Sequence, residues 1–181
     1  MDRLYRLAEP QAGYFTTAQA QAVGVSRQEL YYLRRRGDLR SVAYGIQRLA
    51  RFPASAHEDL VVACLWAGEE AVVSHDSALV VYDVGDAMPA EIHVTTRERF
   101  RGRRKGVYVH HALLHPDEYT SRDGVPVTTP VRTIADLAVT NPSIARSALA
   151  EALERGLIRR GALDRASDAY PHAEAVFGAA S

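Results

Sequence analysis

Between residues 26 and 36 the chain reads Ser-Arg-Gln-Glu-Leu-Tyr-Tyr-Leu-Arg-Arg-Arg, and these side chains at this spacing suit the reading of a nucleic acid. On a helix advancing about 100° per residue, Gln28, Tyr31, Tyr32 and Arg35 fall opposite Leu30 and Leu33, with Arg27 and Arg34 on the shoulder. An arginine fork grips guanine or phosphate, a glutamine amide pairs with adenine, and a tyrosine reaches phosphates or stacks. Arg36, Arg40, Arg48 and Arg51 would hold the backbone phosphates, and Thr17 would add a hydroxyl to the same face. A cationic helix C-terminus is also what the helix dipole favours in plain solvent. The charge run therefore counts only together with the elements that would position it.

The histidines suggest a second kind of chemistry, but their spacing does not support it. His110 and His111 are neighbours on a predicted strand, so they point to opposite faces and cannot jointly hold one ion. His75-Asp76-Ser77 are consecutive, whereas nucleophile relays are assembled from distant parts of a chain. His93 and His115 stand alone in sequence, and a single histidine beside an element end is usually a hydrogen-bonded structural residue. Neither a glycine-rich phosphate loop nor a His-Glu-x-x-His pattern is present. Lys105 lies in a basic loop without paired carboxylates, and Arg132 with Asp136 reads as an i,i+4 ion pair. The expectation is no catalytic residue, no metal site and no cofactor.

The elements needed to present residues 27–36 are legible. Leu4 and Leu7 begin a first helix that Pro10 and Gly13 end. Thr16 or Thr17 caps a second helix kept slim by Ala18, Ala20 and Ala22, and Gly24 supplies the turn. Ser26, with Glu29 three residues on, caps the third, and Val25 staples it to the core. Leu39–Ala43 and 46–50 then form a hairpin around Tyr44-Gly45. Helix, helix, helix and hairpin predict a winged helix-turn-helix over residues 1–52.

Beyond a short linker at 53–56, residues 57–68 predict a buried helix and 71–74 a brief connector. Ser74 would cap a helix over 75–82. Ile92 and Val94 mark a strand, 97–106 a basic hairpin tip, 107–110 the returning strand and 124–128 a third strand. Thr129-Pro130 opens a helix, with two more over 144–157 and 161–169, so 53–169 reads as a mixed α/β body and 170–181 as a frayed tail. The fold class expected is α+β: an N-terminal winged helix-turn-helix followed by a small mixed α/β domain.

Charge divides the same way. The chain is neutral overall, yet residues 1–52 carry nine arginines against four acids, and 53–96 carry eight acids with no lysine or arginine. Then Arg97, Arg99, Arg101, Arg103, Arg104 and Lys105 crowd around one acid, Glu98. This cluster is a second candidate patch for a nucleic acid or a partner, with Phe100 placed to stack on a base. Cys64 stands alone, which excludes a disulfide framework and a cysteine zinc site and suits a reducing cytoplasm. No apolar run approaches the ~18 residues of a membrane span.

Five segments in fixed order resemble one family: Gly13-Tyr-Phe-Thr-Thr-Ala-Gln-Ala, Val25-Ser-Arg, Gly37-Asp-Leu, Val73-Ser-His-Asp-Ser-Ala-Leu, and Val127-Thr-Thr-Pro-Val-Arg-Thr-Ile-Ala-Asp-Leu-Ala. The chain is similar to AbiEi antitoxins of bacterial type IV toxin–antitoxin and abortive-infection systems. The resemblance implies a winged helix that represses its own operon. It also implies a second domain that counteracts a nucleotidyltransferase-like toxin, with or without direct contact. Two copies would meet on operator DNA, each a monomer or part of a weak dimer in solution. Some relatives continue after the Thr-Thr-Pro-x-Arg-Thr segment into an endonuclease-like domain, for which this sequence leaves no room. The competing reading is a stand-alone winged-helix regulator whose body dimerises or senses a ligand.

Overall fold

The computed structural model describes residues 1–180 apart from 86–87 and 98–99. At the N-terminus α1 (Asp2–Ala8) passes into a 3-10 turn at Glu9–Gln11, where Pro10 cannot continue an α-helix. Ala12 and Gly13, both at positive φ, then swing the chain into β1 (Tyr14–Thr16). A side chain at Gly13 would fall 2.5 Å from the Phe52 ring, so the position demands glycine on two counts.

Thr16 begins α2 (Thr17–Ala22) with a reciprocal capping box: its hydroxyl accepts from Gln19 N–H at 3.0 Å, and its own N–H donates to Gln19 Oε1 at 2.8 Å. Gly24, at φ 78, makes the turn into α3 (Arg27–Arg35), whose cap is Ser26 Oγ accepting from Glu29 N–H at 3.1 Å. The wing follows as β2 (Leu39–Ala43) and β3 (Ile46–Leu49). β1 pairs with β3, so the head carries a three-stranded antiparallel sheet ordered β1-β3-β2. Three residues are too few to show a period of two, and Thr16 had signalled only the helix it caps; β1 was therefore invisible in the sequence.

The body is built from α4 (Glu58–Ala67), β4 (Val72–Val73), α5 (His75–Tyr82), β5 (Ile92–Thr96), β6 (Val107–His111), β7 (Tyr119–Arg122) and β8 (Val125–Thr128). α6 (Pro130–Thr140), α7 (Pro142–Glu154), α8 (Leu163–Ala169) and α9 (Glu174–Phe177) complete it. Among the described residues its sheet runs β6-β5-β4-β8-β7. The protein is thus a mixed α/β fold with a helical, wing-bearing N-terminal region.

Four expectations are corrected. The connector at 71–74 contains the central strand: Val73 pairs antiparallel with Val94 of β5 and parallel with Val127 of β8, although two residues carry no readable pattern. Ser74 precedes α5 but does not cap it through its side chain; its hydroxyl accepts from Thr95 Oγ1 at 2.8 Å and meets His75 Nδ1 at 3.0 Å. β6 runs parallel to β5, so 97–106 is a crossover and not a hairpin tip. Residues 170–180 do not fray: α9 carries Val176 and Phe177, 3% and 0% exposed, into the main core, and these two anchors outweigh the small residues around them. β7, polar and mostly exposed at the sheet edge, had given no apolar alternation to read.

Among the described residues two apolar clusters hold the molecule together, and the larger takes in residues on both sides of 53–56. Leu4, Phe15, Leu30, Leu33 and Leu49 form the smaller one inside the head. Ala12, Tyr14 and Ile46, although in the head, belong to the larger cluster with α4 and the body's sheet. Gly124, at φ 78, lies so close to Ala12 that a side chain there would come 2.5 Å from the Ala12 amide nitrogen. Head and body therefore share a packed seam.

Candidate nucleic-acid interface

α3 presents the face that its spacing predicts. Leu30 and Leu33 are 3% and 7% exposed, while Arg27, Gln28, Tyr31, Tyr32, Arg34, Arg35 and Arg36 are exposed. Neighbouring side chains order this face: Arg35 donates to Tyr31 Oη at 3.3 Å, and the Tyr31 and Tyr32 rings meet edge to face at 5.8 Å. Arg27 and Arg34 line a groove of about 600 Å³ with Tyr44 and Gly45 of the wing tip, and Trp66 of α4 forms its far wall. Tyr44 is fully exposed. The wing is tied to the helices through Gly45, whose carbonyl accepts from both the amide and the hydroxyl of Thr17, at 2.8 and 3.2 Å. Thr17 therefore fixes the wing against α2, and its hydroxyl proton is committed there.

The remaining predicted phosphate contacts divide. Arg40 and Arg51 are exposed, whereas Arg36 reaches Asp38 at 3.2 Å. Arg48 is a correction. Its side chain lies buried over the Tyr14 ring, 5.6 Å from the centroid, and donates to the Phe52 carbonyl at 2.7 Å. β3 is buried along its whole length because both its faces are covered, Ile46 packing into the larger cluster and Leu49 into the smaller, so the alternation that should have turned Arg48 outward does not apply.

Over residues 2–43 the chain matches the AbiEi antitoxin family of transcriptional regulators. The match ends within the wing and takes in the whole of α3. The fold is also similar to the crystal structure of the RV2827C protein from Mycobacterium tuberculosis: TM-score 0.51, 14% identity, covering 98% of this chain and 75% of that one. No curated protein matches in sequence.

Beyond the matched segment, the described residues of the crossover patch do not form one continuous surface. Arg99 lies outside the described residues. Arg101, Arg103 and Lys105 are exposed, and Arg104 is held in a bridge with Val107. Arg97 instead shares a cavity of about 210 Å³ with Glu69 and Glu70. Phe100 is not free for a base. Its ring packs edge-on against Trp66, centroids 4.6 Å apart, and only a glycine at 102 leaves room, since a side chain there would lie 2.3 Å from that ring. This anchor sets the crossover beside the Trp66 wall of the wing groove.

Two polar clusters of the body were missed because their members are distant in sequence. Arg132 pairs with Asp136 as expected, at 2.8 Å, but also donates to Glu118 at 2.8 Å, which in turn accepts from Tyr170 at 2.6 Å. Burial alone would raise Glu118, but the bonds from Tyr170, His115 N–H and Arg132 outweigh it and hold its carboxyl below the usual range. Asp136 is pushed up, because its burial outweighs the pull of Arg132. The second cluster joins His75, His93 and His110. Burial, with the neighbouring cationic groups, lowers His75 to about 3 and His110 to about 4.

Proposed function

We propose that the protein is a DNA-binding antitoxin and autorepressor of a bacterial type IV toxin–antitoxin operon, counteracting a nucleotidyltransferase-like toxin. The observation that carries the reading is the exposed Gln28, Tyr31, Tyr32 and Arg35 face beside a wing, within the segment matched to a transcriptional regulator family. In this reading the region is a winged helix-turn-helix whose α3 enters the major groove, with Gln28 and Arg35 on base edges. Arg27, Arg34, Arg36, Arg40 and Arg51 hold phosphates, and Tyr44 brings the wing tip to the adjoining backbone. Two copies occupy one operator. Arg101, Arg103 and Lys105, set beside the wing groove by the Trp66–Phe100 contact, lengthen the footprint.

Because the family match stops at residue 43, a stand-alone regulator is the second reading, with the body serving dimerisation or ligand sensing. Binding of the purified protein to its own upstream DNA, against a scrambled duplex across a salt series, tests the shared part. Specific binding should weaken steeply with salt. Arg35→Ala should cost about 1–3 kcal/mol of specific binding and leave the fold unchanged. Equal affinity for both duplexes would remove the operator-reading role. Coexpression with an adjacent toxin gene separates the two readings: only an antitoxin restores growth.

A further inference from the structure

Three imidazoles converge in the body, each from a different element. His93 lies on β5 opposite Tyr108 of the parallel strand β6, so His110, two residues further, shares its face. His75 arrives at the same place because β4 pairs with β5 at Val73–Val94 and α5 begins at once. Its backbone takes φ 54, a region non-glycine residues seldom enter, and its ring stacks on His110 with centroids 3.7 Å apart. One nitrogen from each of the three histidines lies within 4.8 Å of the others.

We propose that His75, His93 and His110 form a binding site for a first-row divalent metal ion of the zinc class. Neutral imidazoles suit zinc, cobalt, nickel or copper, whereas magnesium and calcium require oxygen donors. On His93 and His75 the nitrogen not needed for the metal faces an oxygen. His93 Nε2 faces Asp76 Oδ1 at 3.6 Å, a buried carboxylate oxygen without a hydrogen-bond partner among the described residues. His75 Nδ1 meets Ser74 Oγ at 3.0 Å, which leaves its Nε2 for the ion. Such outer contacts fix the tautomer and aim the coordinating nitrogen.

His93 Nδ1 and His110 Nε2 are 2.8 Å apart, the separation of a hydrogen bond that shares one proton. A metal at about 2.0–2.1 Å from each nitrogen takes that place once the rings part slightly. The ring that held the shared proton carries it on its other nitrogen instead, and the bridging contact becomes a pair of N–metal bonds to two neutral imidazoles. Binding tilts His75 off its stack. Three histidines leave a fourth position for water.

The test uses tag-free, full-length protein stripped with a chelator and titrated with Co²⁺ by visible absorption. Zn²⁺ stoichiometry is then measured by elemental analysis after desalting. One equivalent should bind, with the intense visible bands of low-coordinate cobalt that zinc abolishes. His93→Gln and His110→Ala should each lower affinity at least roughly 100-fold, and Asp76→Asn roughly 10-fold. His115→Ala, outside the cluster, should bind as wild type. Circular dichroism of the stripped variants identifies any that fail to fold; Asp76→Asn and His93→Gln carry the test if His110→Ala does. Folded wild type that takes up neither metal would overturn the site. So would binding unchanged in His93→Gln and Asp76→Asn, since the metal would then sit elsewhere. Neither result depends on DNA reading by the head.

Discussion

Individual residues divide by whether their partners were near in sequence. Arg132 and Asp136 were legible as a pair, but Glu118 and Tyr170, which complete the network, reach Arg132 only through the fold. Glu118 is held below its ordinary value, so it contributes stability above the unfolded carboxyl range near ~4.3, lost as pH falls through its folded value. Glu118→Gln should cost about 2 kcal/mol at neutral pH and flatten the acid side of the stability profile relative to wild type, measured by urea unfolding across pH. Asp136 is shifted the other way, which is why the difference between the two proteins, and not either profile, isolates Glu118. Cys64 needs no partner to be inert: burial pushes its thiol up to about 12. It should resist a thiol reagent near neutral pH in the native protein and react promptly in denaturant, as absorbance of the released thiolate will show.

At the scale of elements, caps and turns were the readable signals. Thr16, Ser26 and Thr129 each accept the amide three residues on, and Gly24 turns at positive φ between α2 and α3, because such contacts are made by neighbours in the chain. Strands were less readable. β4 is two residues long and sealed on both faces, so nothing alternates. β3 is likewise buried throughout, and this reverses the role of one arginine. Arg48→Ala should lower stability by about 1–3 kcal/mol, by removing a charged donor from the Phe52 carbonyl and baring Tyr14. Arg40→Ala, on an exposed strand position, should leave the melting curve unchanged and weaken DNA binding evenly across sequences. Thermal unfolding and salt-dependent binding of the two variants distinguish a buried brace from a phosphate contact.

For the whole molecule, the seam between head and body matters most. Ala12, Tyr14 and Ile46 are packed in the body's core, and Gly124 backs directly on Ala12. A fragment of residues 1–52 would expose that apolar face and keep only the small cluster around Phe15 and Leu30. It should lack a cooperative unfolding transition by circular dichroism, whereas the full chain unfolds as one unit.

The sequence by itself determined the fold class, the helix boundaries of the head and the outward face of α3, since all three depend on periodicity and on contacts within four residues. It also located the basic crossover, but not its direction or its Trp66–Phe100 anchor. Only the tertiary structure decided that β6 runs parallel to β5, that Arg48 turns inward and that Phe177 closes the core. It also decided that His75, His93 and His110 meet. Each of these depends on strand order and on pairings across tens of residues, and local spacing carries no record of which strands will lie side by side.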